Sequence, residues 1–425
     1  MKTLIKNVNA LLPDGTTPLT NIMIEGERIK AIGEVPKDFQ PDKIIDGKEH
    51  LASPGLVNAH THASMTLLRS YADDMVLMDW LHDKIWPTEA KMKADDIYWG
   101  AMLAVAEMIR SGTTAFADMY GPYMDKVAEV VVDSGLRGVL SRGLIGLAPD
   151  KEEKLAESIA LYKDFQGAGE GRVTVMFAPH ALYTCPPDYL KEISKVAGDY
   201  QAEIHIHMSE TKVEVENCLK EYGKRPFAHV EATGIFEHGT LAAHCVHLDD
   251  EDIAIIKKHG IRVAHNPGSN MKLASGVAPV PRLLKEGVCV ALGTDGASSN
   301  NNMDMLEEVQ LSALLHKADS LDPLAVTARE AVKMGTEYGA RAIGVKEAGK
   351  LEAGFLADIV LYDLRSPMWC PRHNLLSLLA YSARSSSVDT VLVAGKTLME
   401  KHELKTLDEE RILFEAQRCA DRLAQ

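Results

Sequence analysis

Pro54-Gly55-Leu56-Val57-Asn58-Ala59-His60-Thr61-His62 is the stretch on which the reading of this chain turns. An apolar run ends in two histidines separated by one residue. On a β-strand, residues i and i+2 point to the same face. Both imidazoles therefore project together from the C-terminal end of such a strand. Two neutral imidazoles at that spacing are half of a first-row metal site. A strand end that merely carries two surface histidines is the plain alternative. The choice depends on whether other strand ends supply the missing ligands.

Further along the chain, seven more apolar, often β-branched runs follow this one, making eight in all. They end near His62, Met119, Arg142, His180, His207, His244, Asn266 and Asp295. Helix-like amphipathic spacers separate them, such as Lys126 to Val131. Strands alternating with helices predict a parallel sheet, and eight repeats predict a closed TIM-type (β/α)8 barrel. Active sites of such barrels lie at the C-terminal ends of the strands, where the histidines, Arg142 and Asp295 fall in this register. The connection after His62 is long, helical in pattern, and rich in Met with Trp80 and Trp86. It is expected to stand over the barrel mouth as a lid or apolar wall.

Before and after this region the texture changes to short β runs with turns. Asn21 to Ile24, Gly26 and Ile29 to Gly33 read as a hairpin, and Ala357 to Tyr362 and Val388 to Val393 repeat the pattern near the other end. Each group is too short to bury a core alone, so the two are expected to combine. The resulting division is a β-sandwich domain in two parts, 1–53 and 349–425, around a barrel at 54–348. A helix from about Asp408 closes the second part.

The bulk composition excludes some classes of partner. Among 425 residues, 46 Lys and Arg face 61 Asp and Glu, a formal net charge of -15. Nucleic acid and anionic membranes reward clustered cations, so neither is expected as the main partner. No apolar run reaches membrane-spanning length, and the start, MKTLIKNVNALL, reads as a strand and not a signal peptide. Six scattered cysteines without a CxxC are expected as reduced thiols in a cytoplasmic protein.

Two more strand ends complete the ligand count. His205 and His207 share a face of the fifth run, with His207 nearer the C-terminal end and the better ligand. His205, one layer deeper, is expected as a hydrogen-bonded core residue. The eighth run ends in Gly293-Thr294-Asp295-Gly296, and a carboxylate there is costly to bury unless paired or metal-bound. His60, His62, His207 and Asp295 suit a single divalent ion, Zn2+ in the first place and Fe2+ as the other candidate. Glu210, on the loop after His207, is placed to exchange protons with a substrate ring nitrogen; a helix-opening glutamate is its structural alternative. His244 could orient or deprotonate a water at the site. Cys245 and His247 read as structural.

PGLVNAHTH, HIHMSET, AAHC, HNPGSNMKLASG and LGTDGASSNNNMDM together resemble the amidohydrolase superfamily, and most closely its branch of 5-methylthioadenosine/S-adenosylhomocysteine deaminases. The resemblance covers nearly the whole chain, including GKLEAGFLADIVLYD. It implies a hydrolytic, metal-dependent deaminase of adenine nucleosides with one metal ion per subunit. Glu89 in IWPTEAKM would bind the ribose hydroxyls, and Arg142 and His180 would line the rest of the substrate pocket. The general-acid and base roles would fall to Glu210, His244 and Asp295. The partner implied is a small nucleoside, in an enzyme compatible with a homo-oligomer. One departure stands out: a second arginine is expected soon after the Arg142 strand, and the next here is Arg172. The fourth strand ends without a lysine, which favours one metal over two. Alternatives are a guanine, cytosine or aminotriazine deaminase, a triazine chlorohydrolase, or a non-catalytic relative that would be missing ligands.

Overall fold

The computed structural model describes residues 1–425. Five short strands come first: β1 (Lys2–Ala10), β2 (Leu19–Glu25), β3 (Arg28–Ile32), β4 (Lys43–Asp46) and β5 (His50–Pro54). β1, β2 and β3 form an antiparallel meander, and Gly26 turns the second hairpin with φ +63°, a conformation that costs glycine little.

The next nine strands are parallel wherever they pair. They are β6 (Leu56–Thr61), β7 (Thr113–Tyr120), β8 (Arg137–Leu144), β9 (Val173–Val175), β10 (Ala178–Pro179), β11 (Ile204–Met208), β12 (Thr240–His244), β13 (Arg262–His265) and β14 (Val290–Leu292). β9 and β10 pair successive parts of β8 and together occupy the fourth position. Two ladders result, β6 to β10 and β11 to β14. Isolated bridges join them at both seams: Phe177 with Ile204 and Ala181 with His207 on one side, Thr61 with Asp295 on the other. At the second seam the Asp295 amide donates to the His60 carbonyl at 2.9 Å. The strand order thus returns to β6. β6, β7, β11, β12 and β14 are buried along their whole length, as strands covered on both faces must be.

Helices fill the crossovers. The helix Ala94–Arg110 starts where the Asp96 carboxylate accepts the Lys93 amide at 2.7 Å, and it stops at Gly112, φ +87°. The insertion after β6 folds as a 3-10 turn (Ala63–Leu68) followed by short helical pieces from Leu77 to Glu89.

The last four strands, β15 (Ile359–Asp363), β16 (Val388–Val393), β17 (Lys396–Glu400) and β18 (Glu403–Leu404), rejoin the first five. β15 pairs antiparallel with β5, and the order runs β18-β17-β16-β15-β5-β1-β2-β3 with β4 beside β1. Pairing links all nine strands of the two terminal segments, eight along one path and β4 off it, because β1 pairs β4 over Thr3–Lys6 and β5 over Asn9–Ala10. Its own apolar cluster draws Ile5, Val8 and Ile24 from the first segment and Ile359, Leu361 and Leu392 from the second. Pro54, expected to open the barrel region, still pairs with Ile359 in this sheet. The C-terminal helix (Glu409–Leu423) leaves the sheet and packs on the helix Ala94–Arg110, where Arg418 pairs with Asp95 and Arg422 with Asp96. Arg137 on β8 and Asp358 beside β15 form a buried ion pair at 3.3 Å that ties the sheet to the parallel strands. No helix is long and apolar enough to cross a membrane.

Candidate active site

The C-terminal ends of the parallel strands converge on one cavity of about 860 Å³. Its wall includes His62, His207, His244, Asp295, Glu210, Glu89, Arg142 and His180. His60 lies just beneath, fully buried, with its ring centroid 4.8 Å from that of His207 and 4.9 Å from that of His62. The nine candidate site residues therefore lie together at this cavity.

The imidazoles are held by their far nitrogens. His62 Nδ1 donates to the Met119 carbonyl, and His207 Nδ1 donates to the His180 carbonyl at 2.7 Å. His60 Nδ1 lies 2.9 Å from His205 Nε2, which gives the deeper histidine its hydrogen-bonding role. Each bond turns Nε2 inward, the arrangement typical of metal-bound histidine, and against burial the Asp295 carboxylate raises His62 to about 9. His60 Nε2 is buried without a hydrogen-bond partner. A buried polar atom with no partner is costly, and a cation in front of it removes that cost.

Asp295 supplies the charge. Its Oδ1 lies 3.1 Å from His62 Nε2 and 3.5 Å from His60 Nε2, while Oδ2 accepts from Ser269 Oγ at 2.7 Å. Two overlapping sets, His60-His62-His207 and His60-His244-Asp295, each place their donor atoms within 4.8 Å of one another. Three imidazole nitrogens and a carboxylate oxygen fit a single divalent first-row ion.

Burial, reinforced by neighbouring imidazoles, holds His180 and His244 down to about 4, so both rings are neutral near pH 7. Burial also lowers His60 to about 4, against the pull of Asp295. For Glu210 burial and the Asp295 charge act together and push the carboxyl up to about 8. Glu210 is therefore largely protonated near neutrality, as a proton donor has to be. Its backbone is fixed by Glu214, whose carboxylate accepts the Ser209 and Glu210 amides at 2.8 Å each. Thr211, not Glu210, caps the following helix.

His244 Nε2 faces Glu210 at 3.8 Å and Asp295 at 4.0 Å. Its Nδ1 faces the side-chain amides of Asn270 at 2.9 Å and Asn266 at 3.3 Å. An amide presents either a donor or an acceptor, so the atom Asn270 turns to the ring decides whether Nε2 carries the proton. His244 and Asp295 both adopt left-handed backbone, φ +72° and +64°. Such strain collects where surrounding structure over-determines a side chain.

Several contributors were not singled out in the sequence. Ser269 and Asn270 come from HNPGSN, whose short helix brings them under the site. Asp118 accepts from Thr61 Oγ1 at 2.9 Å and from the Ala63 amide at 2.7 Å, pinning the chain on both sides of His62. Tyr183, Tyr120 and Leu273 line the cavity, and the insertion contributes Leu77, Trp80, Leu81 and Trp86 as its apolar wall. The signal available for Ser269 and Asn270 was polar residues directly after a strand end; the direction in which their short helix aims them has no local signature. Glu89 closes the opposite side near Tyr120, and burial raises its carboxyl above the usual range.

This constellation on this fold can be compared with known proteins. Residues 51–398 match the model of the amidohydrolase family. The chain belongs to the amidohydrolase family. This amidohydrolase is 51% identical to the 5-methylthioadenosine/S-adenosylhomocysteine deaminase of Pelotomaculum thermopropionicum, over 97% of its own length and 95% of the other's. Among solved structures it resembles an adenosine deaminase from Xanthomonas campestris with bound zinc, at 33% identity and a TM-score of 0.94, covering 99% of this chain and 98% of that one. The atrazine chlorohydrolase of Arthrobacter aurescens TC1, complexed with zinc, superposes with a TM-score of 0.92 at 24% identity, over 98% of this chain and 100% of that one. At that identity the likeness is one of fold alone.

Proposed function

We propose that this amidohydrolase hydrolytically deaminates the adenine of 5′-methylthioadenosine, S-adenosylhomocysteine and adenosine, leaving hypoxanthine nucleosides and ammonia. The observation that carries the reading is the placement of Glu210, protonated near neutrality, on the same cavity wall as Asp295 and His244. The naming of relatives at about half identity as deaminases of these nucleosides supports it. We read the returning strand order as a (β/α)8 barrel spanning 54–348, with 1–53 and 349–425 as a second, discontinuous domain. His60, His62, His207 and Asp295 would hold one divalent ion, with Zn2+ the expected metal. Bound there, the ion would supply Lewis acidity that brings the pKa of a water at the site toward neutrality.

The remaining roles belong to the chain. Asp295, with His244 beside it, takes the proton of the attacking water as its oxygen approaches C6 of the adenine. Glu210 donates its proton to N1, which drains electron density from C6 and makes it a better electrophile. As the tetrahedral carbon collapses, a proton passes to the amine and ammonia departs. Glu89 accepts from the ribose hydroxyls, and His180 and Arg142 border the rest of the nucleoside. The apolar insertion excludes water from the purine, which strengthens every polar contact inside.

The deciding experiment is Glu210→Gln. The metal-loaded variant is expected to keep its ion and lose roughly 10²- to 10⁴-fold in kcat for ammonia release from methylthioadenosine. Near-normal turnover with metal in place would refute the assignment. A screen including guanine, free adenine and triazines separates the rivals, since greater activity on a ribose-free ring would remove the nucleoside reading.

A further inference from the structure

Arg142 is the only lysine or arginine that lines the site cavity. Its charge is already committed. Nε donates to Glu157 Oε2 at 2.6 Å, and Nη1 donates to the Gly143 carbonyl at 2.8 Å. The Arg142 side chain is 7% exposed and that of Glu157 42%, so a buried guanidinium meets a partly solvated carboxylate. Glu157 stands behind the arginine, outside the site cavity. It shares an outer groove with Arg142, Asp125 and Asp164. Of these acids, Asp125 is partnered by Lys126 at 3.7 Å. A substrate carboxylate approaching Arg142 from the cavity side would meet a guanidinium whose Nε edge is occupied and whose charge is matched. Bidentate capture through Nε and Nη2 needs that edge free, and the remaining Nη1–Nη2 end already shares Nη1 with the Gly143 carbonyl.

A second observation points the same way. Beside Glu210 lies a second space, open to solvent, that shares Leu77, Tyr183 and Glu210 with the site cavity. The loop after β8 puts Ile145 into the first space and Leu147, 67% exposed, into the second. Met78, Leu182 and Val213 continue the apolar lining. Lys220 also borders it, on an exposed helix turn beside Glu221. Exposed apolar residues that continue a ligand cavity are the expected seat of an apolar substrate tail.

We propose that this site selects nucleosides whose 5′ substituent is uncharged and apolar, and that Glu157 sets the preference by holding the Arg142 guanidinium. The inference rests on the nucleoside deaminase reading above. It makes 5′-alkylthioadenosines the preferred class over nucleosides with an anionic or amino-acid tail. Glu157 acts through Arg142 and is a positioning residue.

The test uses the metal-loaded enzyme and four nucleosides: 5′-methylthioadenosine, 5′-hexylthioadenosine, S-adenosylhomocysteine and a 5′-(carboxypropyl)thioadenosine. Ammonia release gives kcat and KM for each. The hexyl compound is expected to have the lowest KM, and the two carboxylates KM values at least about tenfold above that of the methyl compound. Glu157→Gln is expected to lower KM for the carboxypropyl compound roughly fivefold relative to the methyl compound, the equivalent of one partly exposed ion pair, with kcat moving much less. Carboxylate tails that the unmodified enzyme takes as well as methylthioadenosine would overturn the proposal. So would a Glu157→Gln enzyme with an unchanged KM ratio, or one that loses S-adenosylhomocysteine alone, which would make Glu157 a binder of the tail ammonium. If the variant fails to fold, the alkyl and carboxylate series on the unmodified enzyme still decides. Ammonia from none of the four nucleosides would instead remove the nucleoside reading itself, and this inference with it.

Discussion

Ser269 shows how much of this site depends on single hydrogen bonds. Its hydroxyl takes Asp295 Oδ2 and leaves Oδ1 facing His60 and His62. Removing such a support typically costs metal affinity or activity 10–100-fold. Ser269→Ala is expected to show a loss in that range, read as the ion's dissociation constant by competition with a chelator and as kcat in parallel. Glu210 sets a second expectation. Its carboxyl, raised to about 8, is protonated below that value and loses its proton as pH rises through it. Proton donation to N1 then fails, so kcat is expected to fall on the alkaline side with a midpoint near pH 8. A pH-rate profile flat to pH 10 would contradict the assignment. At this scale the sequence was most legible where strand parity speaks. His60, His62 and His207 follow from alternation, and the deeper place of His205 follows from the same rule. The orienting partners do not, because Ser269 and Asn270 on their short helix and Asp118 on β7 reach the site through cross-strand geometry that no local pattern encodes.

Among the elements, the approach of β14 to β6 decides whether the candidate metal ligands meet. Gly293 sits at the seam, and a Cβ there would lie 2.8 Å from the His60 amide nitrogen and 2.6 Å from Asn266 Oδ1. Backbone cannot retreat as a flexible side chain can. Gly293→Ala is expected to push the end of β14 outward, at a cost of about 1–3 kcal/mol in unfolding free energy, with weakened metal retention. Thermal unfolding together with metal content checks both parts, and an unchanged metal content would show that the seam is looser than its geometry implies. The eight runs were readable because parallel strands covered on both faces are near-continuous apolar segments. The split of the fourth into β9 and β10 was not, since the break lies inside one apolar run. The insertion's helical pattern and its apolar role were both visible from its Trp and Met content.

For the molecule as a whole, the terminal sheet and the parallel strands meet at Arg137 and Asp358, both buried. Asp358 also accepts the Ala394 amide at 2.7 Å. Breaking one partner of a buried pair leaves an uncompensated charge, at about 3–5 kcal/mol, whereas replacing both with apolar residues of similar volume is often near neutral. Arg137→Ala is therefore expected to lower the denaturant midpoint sharply, and Arg137→Met with Asp358→Leu to recover much of it. A double variant no better than the single would make the pair a specific support of the sheet. The sequence pointed to a union of the two ends because neither could bury a core alone. It did not reveal that pairing links the strands of both segments, because strand pairing across the whole chain depends on register, and register leaves no mark in either segment alone.

That pairing constrains how the protein can be made. β5 emerges early from the ribosome, but the strand that completes its edge, β15, is synthesised only after every parallel strand. Through most of translation β5 offers unpaired amides and carbonyls, the kind of edge that recruits other chains. That edge stays open to pairing with other chains until the C-terminal strands arrive. A chain cut short before β15 would carry all its candidate metal ligands with that border still open.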